Sequence, residues 1–165
     1  MSPFIYYVAH LTVLAYALVG GVFLAFSDFI MRALSRISGQ GGAEAMQVIN
    51  REVFRWVFMT LFLGLAAVSL VLVAQAVLLL DGATATLISA AGLAYLIGCF
   101  AVTVVFNVPM NEALAGMDLS QADTQRYWTG TYLPRWTFWN TVRTVACGLA
   151  AALLLFGLTA QSLPT

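Results

Sequence analysis

Trp136-Thr137-Phe138-Trp139-Asn140-Thr141-Val142-Arg143 opens the last long apolar segment of the chain. It carries an amide and a guanidinium into sequence that otherwise reads as membrane. A charge inside a bilayer is costly, so such residues face the protein interior, find partners or serve a function. The preceding apolar segment closes on a second polar run, Asn107-Val108-Pro109-Met110-Asn111. The pair of runs sets the reading: a small helical scaffold in lipid that holds polar groups between its helices.

Composition supports that reading. Of 165 residues, 62% are hydrophobic and 8% charged, with a mean hydropathy of +0.93. Soluble domains average about 25% charged residues. So little polar surface cannot cover a particle in water, and the bilayer is the expected solvent and partner. A net charge of zero argues against nucleic acid. Cys99 and Cys147 lie deep in apolar segments and read as packing residues. With one His and no Cys-x-x-Cys, the spacings of a His or Cys metal centre are missing. No metal and no cofactor is expected. Ala15-Tyr16-Ala17 mimics a signal cleavage site, but a basic leader is missing and the apolar run continues, so the first segment reads as a retained transmembrane helix.

The expected fold is all-α: an integral membrane four-helix bundle, antiparallel up-down-up-down, forming one transmembrane domain. Spans fall at about 4–27, 56–80, 85–107 and 136–160. The first helix starts near Pro3 and continues to about Ser35. His10, Leu14, Ala17, Gly21, Leu24 and Asp28 follow three/four spacing and share one of its faces. Ser38-Gly39-Gln40-Gly41-Gly42 breaks the chain. The second helix starts near Ala43, amphipathic before it enters lipid. Asp81-Gly82-Ala83-Thr84 is a tight connection. On the third helix, Tyr95, Cys99, Thr103, Asn107 and Asn111 recur every four residues. Pro109 should loosen the ladder beside them. Ser120-Gln121-Ala122-Asp123 resembles a capping box and predicts a short interfacial helix carrying Arg126, Tyr127 and Trp128. On the last helix, Trp136, Asn140, Arg143 and Cys147 share a face.

All seven basic residues are Arg, and all fall in or beside the two long connections. The positive-inside rule then places both connections in the cytoplasm and both termini outside, as a multi-pass protein of an inner or plasma membrane. Every helix delivers a polar group to that one level: Asp28, Asn50, Asn107 with Thr103 a turn deeper, and Asn140 with Arg143. The structural alternative is an Arg143 that snorkels to the interface while the Asn residues cap helix ends. The functional reading is a cytoplasm-facing pocket in which Arg143, Asn140 and Asn107 stabilise an oxyanion. Asn111, Asn50, Asp28, Thr103, Trp136, Trp128 and Tyr132 would then hold a flat hydrophobic aromatic molecule. His10, the one imidazole, is the remaining candidate base.

Phe23-Leu24-Ala25-Phe26-Ser27-Asp28-Phe29, Met46-Gln47-Val48-Ile49-Asn50-Arg51, Phe106-Asn107-Val108-Pro109-Met110-Asn111 and Trp136-Thr137-x-Trp139-Asn140-x-x-Arg143 together resemble the anthrone oxygenase-like family of small four-helix membrane proteins. The resemblance covers nearly the whole chain. It implies oxidation of anthrones to anthraquinones by molecular oxygen without metal or flavin. It carries over to Asn50, Asn107, Asn111, Trp136, Asn140 and Arg143. The competing expectation is a non-catalytic protein that binds a lipid, quinone or aromatic ligand, or a subunit of a membrane complex. The Gly-rich face of the first helix suits a homo-oligomer contact, and a transporter would need one.

Overall fold

The computed structural model describes residues 2–53 and 55–162. Four helices are long and apolar enough to cross a membrane. Between 28% and 39% of each apolar window is buried inside the protein, so most of that apolar surface faces outward, as lipid requires. Helix α1 is Pro3–Ser35. Ser2 caps it, its hydroxyl accepting from the Ile5 N–H, and Pro3 occupies the first turn. Helix α2 is Gly41–Glu52, α3 is Trp56–Leu79 and α4 is Gly82–Ala115. Ala122–Tyr127, a π segment Trp128–Tyr132 and Leu133–Ser162 run on as one helix, α5. The two glycines at φ +64°, Gly39 and Gly82, sit at the turns before α2 and α4, where a side chain would be strained.

Three boundaries differ from the sequence expectation. The amphipathic and apolar parts of the second segment are separate helices, because Arg55 is extended at φ −72°, ψ 157°. Gln47 holds α2 across the end of α4 by donating to the Leu114 and Met117 carbonyls. The capping box does not form. Ser120 turns back, and its N–H and hydroxyl both donate to Asp118, holding that carboxyl below the usual carboxylate range. The short helix that follows is therefore uncapped by Ser120 and merges with the last span.

Pro109 and Pro134 do not end their helices. One residue separates each from the π segment before it, Thr103–Asn107 or Trp128–Tyr132. The proline removes a donor, and the ladder continues by widening to i→i+5: the Val108 N–H reaches the Thr103 carbonyl and the Leu133 N–H reaches Trp128. Further π segments lie at Phe26–Ile30 in α1 and Leu96–Ala101 in α4.

Helix α5 packs between α1 and α4, and α3 closes the far side. Numbers rise on one helix as they fall on its neighbour. Phe23 meets Asn140 and Gly20 meets Cys147; Asn107 meets Trp136 and Gly98 meets Ala146. The mid-bundle core centres on Tyr16 and Tyr95, stacked at 5.0 Å. Their hydroxyls are satisfied at Ser69 Oγ, 2.5 Å away, and at the Phe62 carbonyl, 2.8 Å. A second core, with Met31, Met46, Leu114 and Trp128, fills the Arg-bearing end.

Gly92 lets α3 approach α4: a Cβ there would lie 2.9 Å from the Ser69 carbonyl and 2.5 Å from Val73. Gly92→Ala should cost about 1–3 kcal/mol by overpacking. Thermal unfolding in detergent measures this, and an unchanged midpoint would show that the helices are not so tightly apposed.

Candidate functional site

Spacing by four does not by itself keep residues on one helix face. At 3.6 residues per turn each step overshoots by about 40°, so the four steps from Tyr95 to Asn111 would sweep about 160°. The two π segments of α4 lie inside this stretch and hold more residues per turn. Tyr95, Cys99 and Asn107 are consequently all fully buried, with Thr103 and Asn111 partly so. The π segment of α5 likewise keeps Trp128 and Tyr132 in line with Trp136, Asn140 and Arg143.

Arg143 does not snorkel. It is 5% exposed and turns inward. One terminal nitrogen donates to Asn140 Oδ1 at 2.6 Å, the other to Thr103 Oγ1 at 3.2 Å. The guanidinium carbon lies 4.2 Å from the centre of the Phe23 ring and 5.2 Å from that of Trp136. Both rings present their electron-rich faces to a cation. Its Nε has no hydrogen-bond partner, and no carboxylate lies within ion-pair reach among the described residues.

A second network adjoins it. The Tyr132 hydroxyl accepts from Asn50 Nδ2 at 3.2 Å and donates to Asn111 Oδ1 at 2.7 Å. The Trp136 indole N–H donates to the same Asn111 oxygen at 2.8 Å. Asn107 Nδ2 donates to the Trp136 carbonyl at 3.3 Å, leaving its buried Oδ1 unpartnered. Trp136 thus joins the networks: carbonyl to Asn107, indole to Asn111, ring beside Arg143.

Arg143, Thr103, Asn50, Asn111 and Trp136 line a cavity of about 240 Å³. Its remaining walls are apolar, with Phe23, Phe26, Phe58, Phe62 and Phe100 among them. A second hollow, of about 300 Å³, shares Asn50, Val108 and Asn111 with it and adds Gln47, Arg51 and Glu112. Trp128 is buried against Tyr132, behind the cavity rather than on its wall. Trp139 turns away and stacks on Phe106 at 3.6 Å.

Asn107, Asn140 and Tyr132 stand behind the wall, bonded to the lining residues Trp136, Arg143 and Asn111, and two further expected members are elsewhere. Asp28 is exposed and pairs with Arg32 one turn along α1, at 3.7 Å. His10 is exposed near the start of α1, its ring nitrogen 2.8 Å from the Tyr6 carbonyl. The face that carries both, with Leu14, Ala17, Gly21 and Leu24, points outward. The inward face is Thr12, Tyr16, Val19, Gly20 and Phe23, with Ser27 half-buried at its end. Phe23, Ser27 and Thr141 are the members that sequence reasoning missed. Ser27 stood one residue from Asp28, in a helix too uniformly apolar to betray its orientation.

Among the described residues no three His, Cys, Asp or Glu side chains converge as metal ligands would. What the arrangement offers is a fixed cation, amide groups and a hydroxyl at the end of an aromatic-walled cavity. That is suited to binding the oxygen of a flat apolar molecule and stabilising negative charge on it.

A family model for anthrone oxygenase matches residues 51–153, well over half of the chain. The match takes in Thr103, Asn107, Asn111, Trp136, Asn140 and Arg143. No curated protein and no solved structure matches. The chain belongs to the anthrone oxygenase family.

Proposed function

We propose that the protein is a membrane-embedded oxygenase that oxidises anthrone- or quinol-like aromatics with molecular oxygen, independently of a cofactor. One observation carries this reading: a buried guanidinium with no carboxylate partner among the described residues lines an aromatic-walled cavity. The keto oxygen of an anthrone would accept from Arg143, with the rings between Phe and Trp side chains. Losing the benzylic proton turns the ketone into an enolate whose negative oxygen faces the guanidinium. The enolate gives an electron to oxygen, and recombination forms a hydroperoxide. Loss of water then leaves the quinone: one anthrone and one O2 give one quinone and one water.

Among the described residues no His, Asp or Glu lines the cavity, and the adjoining hollow holds the carboxylate of Glu112. The chain's contribution is therefore to make the carbon acid stronger through Arg143, with water in the adjoining hollow taking the proton. Six arginines, Arg32, Arg36, Arg51, Arg55, Arg126 and Arg135, lie in or beside the two connections. By the positive-inside rule that end and the cavity face the cytoplasm. The missing proton acceptor also favours a second reading, non-catalytic binding of a quinone or similar aromatic.

Turnover separates the readings. Purified protein in detergent should consume one O2 per quinone formed from an anthrone, followed by oxygen electrode and absorbance. Tight anthraquinone binding with no oxygen uptake above the uncatalysed rate would sink the oxygenase and leave the binder.

A further inference from the structure

The Asn140 amide can present either its oxygen or its nitrogen to Arg143, and only the oxygen satisfies a cation. Its orientation is set from behind. Asn140 Nδ2 donates to the Phe23 carbonyl at 2.7 Å and to Ser27 Oγ at 2.7 Å. That carbonyl sits where α1 changes from α to π pairing: the Phe26 N–H is shared between the Val22 and Phe23 carbonyls, and the Met31 N–H reaches Phe26. A carbonyl has two lone pairs, so the Phe23 oxygen can also take a side-chain donor. Ser27 Oγ lies 2.9 Å from Thr141 Oγ1, which lies 2.9 Å from the Thr137 carbonyl. Thr141 Oγ1 donates to Ser27 Oγ, with the Thr137 carbonyl as its alternative acceptor. A further Ser27 lone pair is left for the Asn140 N–H. One anchor selects which end of the amide faces α1. Two anchors fix its plane and hold Oδ1 2.6 Å from Arg143.

We infer that Ser27 is a positioning residue: it locks the Asn140 amide so that Arg143 is aimed by a neutral acceptor and keeps its full charge for an anionic oxygen in the cavity. Ser27 is not on the cavity wall, so it acts through Asn140 and touches no ligand. The inference rests on the oxyanion reading of the Arg143 cavity.

The probe is 1,8-dihydroxyanthraquinone, whose phenol and phenolate differ in visible absorbance. Bound to the detergent-solubilised protein, its apparent pKa should fall by about one to three pH units, as for an acid beside an opposite charge. Ser27→Ala should lose at least half of that lowering, Ser27→Thr should keep it, and Asn140→Asp should abolish it by neutralising Arg143. A full lowering in folded Ser27→Ala overturns the inference and leaves the oxyanion site standing. No lowering in the unsubstituted protein overturns the oxyanion site, and the inference with it. Should Ser27→Ala fail to fold, Thr141→Val decides. It removes the hydroxyl that donates to Ser27 and holds its Oγ in place, so a partial loss supports the inference and no loss overturns it.

Discussion

Arg143→Met should give a folded protein with turnover down by about two to three orders of magnitude, the usual loss when one donor to a developing oxyanion is removed. Burial is the reason to expect folding to survive. The guanidinium carries a desolvation cost that its two neutral hydrogen bonds and two ring faces offset only in part. Replacing buried charge with an apolar side chain of similar volume is often neutral or stabilising. Arg143→Lys should not restore activity. A compact ammonium cannot lie flat between Phe23 and Trp136 while donating to both Asn140 and Thr103. Steady-state rates with thermal unfolding in detergent test both variants. An Arg143→Met protein that turns over at the unsubstituted rate, or unfolds on purification, would assign Arg143 to architecture instead of chemistry.

Asn140→Ala should behave in the opposite way, losing stability by about 3 kcal/mol. A hydrogen bond to a buried charged group is worth about 1.5–3 kcal/mol, and the partners left behind stay desolvated. Arg143 would keep only Thr103, and the Phe23 carbonyl and Ser27 would lose their donor. Hydrogen bonds between membrane helices average only about 0.6 kcal/mol, so the effect should stand out against other polar truncations in the bundle. The double variant with Arg143→Met should be more stable than Asn140→Ala alone, because the orphaned cation is gone. Strict additivity of the two changes would refute the coupling.

Much of this site was legible in the chain. The polar runs at 107–111 and 136–143 stood out because an amide or guanidinium in apolar sequence needs a reason. The shared level of Asn50, Asn107, Asn140 and Arg143 followed from helix rise alone. The outward setting of Asp28 and His10 was not legible for one physical cause: α1 is apolar on every side, so periodicity gives a face without saying which way it points. Lipid and core are both apolar, and only a neighbouring helix distinguishes them.

Composition and pattern by themselves determined four apolar helices and which polar residues had to be accommodated among them. The tertiary structure decided the rest. It turned the Thr12–Phe23 face of α1 inward and placed Ser27, not Asp28, behind Asn140. It kept α4 and α5 continuous through Pro109 and Pro134 by widening single turns. Those wide turns bring residues four apart back onto one face. Asn140 at the Phe23 carbonyl and Asn107 at the Trp136 carbonyl come from helices distant in sequence. No local reading of the chain could have paired them.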